Sequence, residues 1–272
     1  MIIELSKEEI KKCEKFSYKC AKNQQEIEFG QTDTVPRSIK EIGRDNFIGK
    51  LTEVAFAKML AEKYDIHVKL DFEYYPRGEW DGQDTIINDW KIDVKGTRKG
   101  GKWMLVEWSK INFRQKDKDL SHLFVMGSVY WDRKTDLPTG KVELVGCASI
   151  LKLKNNVDTT KILRKGSLLP DTQNPVHLQA DNFGIKFKDL NKDWDFIINY
   201  ILGNKPPNLD NYPNPYTGET YKDLFPDDFS DKLKNADGDE MAFEDGYKKE
   251  SRISNIIKKF RNKSSGEMSS GK

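Results

Sequence analysis

The sequence predicts an α/β fold, and three observations carry that expectation. Residues 45–64 place apolar side chains at helical spacing. Residues 84–95 hold β-branched and aromatic runs on either side of a two-residue turn, Asn88-Asp89. Residues 122–131 and 141–150 are apolar runs of strand length with a turn-rich link, Asp136-Leu137-Pro138-Thr139-Gly140, between them.

In chain order, Ser6-Lys7-Glu8-Glu9 has the form of a capping box and opens a helix to about Lys22, with Ile10, Cys13, Phe16, Tyr18 and Cys20 on its partly apolar side. Gly30 and Pro36 break residues 27–45 into a polar loop, with room for a short helix around Ile39. Arg37, Lys40 and Arg44 there suit either a solvated loop or contact with a phosphate backbone. A helix is expected to start near Asp45 or Asn46 and end near Tyr64, with Phe47, Ile48, Leu51, Val54, Ala55, Met59 and Leu60 on its apolar side. Residues 66–74 alternate as a strand does. Met104 to Ile111 fits strand or helix, and short strands and turns fill residues 151–189. Asp193 to Leu202 reads as a helix. Beyond Gly203, five prolines punctuate an acidic segment that gives way to a basic, Ser/Gly-ended tail. The division expected is a globular part over 1–204 and a linker with a partly disordered tail over 205–272.

Composition narrows the class. One third of the 272 residues are charged, yet the net charge is only +2, so whole-chain charge neither favours nor opposes a polyanionic partner. Three cysteines without a CxxC pair, and three scattered histidines, argue against a disulfide scaffold or a structural zinc site. No apolar run approaches the roughly 20 residues of a membrane span, and the first residues lack the blocks of a signal peptide. A soluble cytoplasmic protein is the expectation.

The hairpin carries the chemistry. A turn at Asn88-Asp89 sets Asp84 opposite Asp93 and points Lys95, Ile86 and Lys91 to the same side. Thr85, Ile87, Trp90, Ile92 and Val94 form the other, apolar side. Two opposed carboxylates repel unless a proton or cation lies between them. A hard divalent ion meets that need: Mg²⁺ takes one or two carboxylates with waters, and the Val94 carbonyl is a further oxygen ligand. Lys95 stands beside the same centre, suited to orienting a water and offsetting charge on a phosphoryl group. Glu53 sits in the preceding helix between small flanks, Gly49 and Ala57, as a water or second-ion ligand or as an ordinary helix-surface glutamate. Downstream, Gly96 to Trp103 is a Gly-rich loop whose Arg98, Lys99 and Lys102, next to Trp103, suit contact with phosphates at the mouth of the site, and Arg114, Lys116 and Lys118 extend the basic character.

The order Glu53, Asp84, then Ile92-Asp93-Val94-Lys95 resembles the signature of the PD-(D/E)XK nuclease superfamily, which includes type II restriction endonucleases and junction resolvases. Asp81-Gly82-Gln83-Asp84 resembles the Asp-Gly-x-Asp form of restriction-like members, with Gln83 where proline is usual and Asp81 a rival first acid. Val145-Gly146-Cys147-Ala148 resembles their late Gly-(Trp)-Ala turn. The resemblance spans about residues 44–150. It implies a restriction endonuclease-like mixed central β-sheet flanked by helices in αβββαβ order, Asp84 and Asp93 as metal ligands, Lys95 as catalytic lysine, and Glu53 as the helical glutamate. It also implies a Mg²⁺-dependent (or Mn²⁺-dependent) endodeoxyribonuclease acting on DNA as a homodimer. The alternatives are a junction-resolving or repair nuclease, and a catalytically inactive nucleic-acid-binding module of the same fold.

Overall fold

The computed structural model describes residues 1–26, 38–73, 84–107, 120–155, 159–172 and 176–207, all of which belong to one compact unit. The basic positions Arg37, Arg114, Lys116 and Lys118, the rival acid Asp81, the helix expected after the hairpin, and the tail from 208 onward lie outside the described residues.

The architecture is mixed α/β, with a mixed sheet flanked by helices. Strand β1 (Ile2–Glu4) precedes helices α1 (Lys7–Glu26) and α2 (Ile39–Tyr64), then β2 (Thr85–Ile87), β3 (Trp90–Arg98) and β4 (Trp103–Glu107). Strands β5 (Leu123–Asp132) and β6 (Leu137–Ser149) follow, then α3 (Ile150–Asn155), β7 (Thr160–Leu163), β8 (Asn182–Lys186) and α4 (Trp194–Gly203). The larger sheet has the order β1-β6-β5-β3-β2. Only β3 and β5 run parallel in it. Strands β4, β8 and β7 form a second, antiparallel sheet.

Local sequence accounts for the helix ends. Ser6 caps α1 as expected: its Oγ accepts from the Glu9 N–H at 3.2 Å, and Glu9 Oε2 accepts from the Ser6 N–H at 2.6 Å. Helix α2 begins earlier than Asp45. Ser38 and Glu41 form a second capping box, so the short helix foreseen near Ile39 and the long one are continuous. The C-terminal end closes on Asp65 in the left-handed conformation, φ 55°. Residues 66–73 pair with no strand among the described residues, contrary to expectation. Their alternation is real in another sense, because Ile66, Val68, Leu70 and Phe72 pack in turn against the main core.

That core lies between the larger sheet and the helices. Leu51, Ala55, Phe56, Met59 and Leu60 of α2 meet Ile92, Val94, Val125, Val129, Val142 and Leu144 of the sheet and Trp194, Ile197, Ile198 and Ile201 of α4. Two glycines set α2 down on the sheet. Gly96 and Gly127 are direct partners across β3 and β5, and the fully buried Thr52 covers both. A Cβ at Gly96 would lie 2.6 Å from Thr52 Oγ1 and 2.8 Å from the Ile48 carbonyl, and one at Gly127 would overlap Thr52 Cγ2. Gly127→Ala is therefore expected to destabilise the protein by about 1–3 kcal/mol through overpacking. Adding Thr52→Ser, which removes that methyl, should recover part of the loss in denaturant unfolding; an unchanged midpoint for Gly127→Ala would refute the close approach.

His122 leads into β5 and is a packing residue, as its place at the head of an apolar strand implies. Its Nδ1 accepts the Lys91 N–H at 2.9 Å, and its ring meets Trp90 edge-on at 5.7 Å. Burial, aided by the Lys91 charge, lowers the imidazole to about 4 from its ordinary 6.5. The folded state thus holds a neutral ring. Its contribution is complete above pH 6.5 and is lost as pH falls from there through 4. After discounting for partial exposure, the loss is about 1–2 kcal/mol. His122→Asn, which keeps an acceptor near Nδ1, should flatten the fall in urea midpoint between pH 7 and 4.5; equal slopes would contradict it.

Candidate active site

The hairpin register is the one the turn dictates. Asn88 (φ 48°) and Asp89 (φ 68°) both take left-handed conformations, the type I′ geometry that joins twisted strands in a two-residue loop. Thr85 pairs with Ile92, Ile86 with Lys91 and Ile87 with Trp90. The predicted asymmetry follows: Thr85, Ile87, Trp90, Ile92 and Val94 are buried, Ile86 is exposed, and Lys91, Asp93 and Lys95 are intermediate. The turn is tied down from α4, because the Asn88 amide donates to the Ile201 carbonyl at 2.9 Å and the Trp90 indole to the Asn204 carbonyl at 2.7 Å.

Asp84 stands at the entrance to β2 and accepts the Val94 N–H through Oδ2 at 2.6 Å, a bond that holds it against the Asp93–Lys95 segment. Lys95 Nζ lies 2.6 Å from Asp93 Oδ1, with 25% of the Lys95 side chain and 15% of the Asp93 side chain exposed. In the parallel pairing with β5, Asp93 is opposite Phe124 and Lys95 opposite Met126, both buried, so one wall beside the pair is apolar. Burial pushes the Asp84 carboxyl well above the usual carboxylate range, and the charges of Glu53 and then Asp93 push it further. The Val94 N–H and Lys95 act in the opposite direction. Three acids from α2, the lead into β2, and β3 therefore share one electrostatic environment.

Glu53 is largely buried, and its partner is a residue the sequence analysis passed over. Lys50, one turn earlier on α2, lies 2.5 Å from Glu53 Oε2 and donates to the Asp71 carbonyl at 2.8 Å. Its ammonium also sits 4.5 Å from the Phe16 ring centre and 5.4 Å from that of Phe72. The i, i+3 spacing was the available signal; an apolar helix side containing a lysine and a glutamate is most simply satisfied when they pair.

The donor set suits a hard cation. Asp84 is bonded to the backbone of Val94, next in sequence to Asp93, and the two carboxylates are within electrostatic reach of each other; Mg²⁺ takes one or two such ligands while keeping its waters. Their repulsion supplies the drive for a cation to enter. Among the described residues, no group of three or more acid, imidazole or thiolate side chains is placed to hold a metal ion by itself. A site of Asp84 and Asp93, with the Val94 carbonyl and water, is the arrangement these residues fit.

The loop residues divide. Lys102 is exposed, and Arg98 and Lys99 are engaged. The Arg98 guanidinium lies over Trp131 at 4.2 Å and bonds Asp136 Oδ1 at 3.1 Å. Lys99 pairs with Glu143 and sits 4.9 Å from the Tyr130 ring centre. Trp103, expected at the mouth of the site, is instead buried in β4: its indole donates to the Pro170 carbonyl at 2.9 Å and Lys186 lies over its ring. Pairing of β4 with β8 draws it into the second sheet. The Gly146 position has a backbone cause, since a Cβ there would lie 2.5 Å from the Asn191 carbonyl, while Cys147 and Asn191 exchange both backbone hydrogen bonds.

Compared with family models, with curated proteins and with solved structures, the chain gives no match.

Proposed function

We propose that the chain is a Mg²⁺-dependent endodeoxyribonuclease of the restriction endonuclease-like, PD-(D/E)XK type, hydrolysing DNA phosphodiester bonds. The observation that carries this reading is the hairpin register, which brings Asp84 to the Asp93–Lys95 pair on the polar side of an otherwise buried hairpin. Asp84 and Asp93, with the Val94 carbonyl, are the residues that would hold Mg²⁺ or Mn²⁺. The ion would supply Lewis-acid polarisation of a phosphoryl oxygen and acidify the attacking water. Lys95 would hold that water by hydrogen bonding and offset charge developing on the phosphoryl oxygens. Glu53, ion-paired with Lys50, would contribute to the field around Asp84. Lys102, Arg98 and Lys99 lie downstream on the same stretch of chain and would meet the DNA backbone.

Incubation of the protein with plasmid and genomic DNA in Mg²⁺ tests the reading. Discrete fragments, lost on chelation, are the expected result. An intact substrate at all metal concentrations would remove the enzyme reading. A second reading has its own support: the Asp93–Lys95 and Glu53–Lys50 ion pairs satisfy two of the acids without a metal. Under it the fold is a catalytically inactive nucleic-acid-binding module. A homodimer and double-strand cleavage complete the first reading, and a panel of duplex, nicked and branched DNA separates it from junction resolution or repair.

A further inference from the structure

A separate cleft of about 270 Å³ opens between α2 and the end of β3, lined by Arg44, Asp45, Ile48, Gly96, Thr97 and Arg98. Beside it α2 lies close on β3 at Gly96, where a Cβ would run into Thr52 and the Ile48 carbonyl. Two guanidinium groups and one carboxylate are among the groups that line it. Arg98 is positioned with care: Trp131 carries its plane, and Asp136 holds its Nη2. Asp136 is itself fixed by the Trp131 indole at 3.0 Å and by Lys40 at 3.4 Å. This bracing leaves one group unsatisfied. Arg98 Nε is covered from solvent and has no hydrogen-bond partner among the described residues, an arrangement that carries a desolvation cost.

We infer that this cleft binds a phosphate-type oxyanion, with Arg44 and Arg98 as its cationic walls and Thr97 as a hydroxyl donor. Guanidinium forks match the oxygens of a phosphate in pairs, and Arg44 and Arg98 both line the cleft. Asp45 also lines the cleft, and its carboxylate disfavours a second negative charge. The same chemistry belongs to free phosphate and to a backbone phosphate of DNA. The inference does not depend on hydrolysis at Asp84 and Asp93.

The test is binding to the full chain in EDTA, where cleavage plays no part, with inorganic phosphate in one arm and a fluorescent duplex in the other. Arg44→Ala and Arg44→Glu are the variants, because Arg98 also braces Trp131. Lys161→Glu, an exposed charge reversal on β7, controls for net charge. The site predicts at least a tenfold loss of affinity for Arg44→Glu beyond that of Lys161→Glu, in one arm or both. For Arg44→Ala it predicts a salt dependence of duplex binding reduced by about one phosphate contact. Loss in the phosphate arm assigns a free-ion site, and loss in the duplex arm alone assigns a backbone contact. Equal losses for Arg44→Glu and Lys161→Glu, or no binding of either probe to the wild type, would overturn the inference. Far-ultraviolet circular dichroism with unligated unfolding midpoints verifies that each variant is folded.

Discussion

Asp93→Ala and Lys95→Ala are each expected to lower Mg²⁺-dependent DNA cleavage by about 10³-fold or more while the protein stays folded. The size follows from what each removes. Loss of a preorganised group that stabilises transition-state charge typically costs about 10²–10³ in rate, and Asp93 would also take away one of two carboxylate ligands to the ion. The structural cost is smaller. Asp93→Ala relieves the repulsion that Asp84 feels, and Lys95→Ala removes a partly exposed side chain. Duplex affinity measured without metal should therefore survive in both. Cleavage rates under single-turnover conditions, together with unfolding midpoints, check the prediction; undiminished cleavage by both variants would contradict it.

Lys50→Ala should be among the most destabilising single substitutions, at about 3–5 kcal/mol. Lys50 is buried, and its ammonium serves Glu53, the Asp71 carbonyl and two aromatic rings at once. Removing one partner of a buried pair leaves the other charge without compensation. Here the orphan would be Glu53, already within the field of Asp84. The segment 65–73 would also lose its tether through Asp71. Replacing both partners, Lys50→Met with Glu53→Gln, should cost much less, because no buried charge remains. Denaturant unfolding of the two singles and the double forms a cycle; a loss under about 1 kcal/mol for Lys50→Ala would show that the pair does not hold this corner of the fold.

The hairpin was legible because its information is local. Two residues able to adopt left-handed conformations fix the register, and alternation fixes the faces. The same holds for the Ser6 capping box and the α4 helix. What stayed hidden depends on contacts distant in sequence. The strand-like alternation at 66–73 reports burial against the core, and no periodicity reveals that a pairing partner is missing. Trp103 looked available in a Gly-rich loop, but its place follows from β8, some 80 residues later. The Gly96–Gly127 pair carries meaning only once β3 and β5 are known to be parallel neighbours beneath Thr52. For the candidate site, types and order of residues were readable, whereas for Lys50 only its i, i+3 spacing to Glu53 was, because its role rests on the burial of α2 against Phe16, Asp71 and Phe72.

Calorimetric titration of the protein with Mg²⁺ and Mn²⁺ in the absence of DNA tests whether Asp84 and Asp93 together form a divalent-cation site. Binding to the wild type that is lost in Asp84→Asn and in Asp93→Asn, with both variants folded, is the expected result. Absence of binding to the wild type, or binding that persists unchanged in both variants, would contradict it.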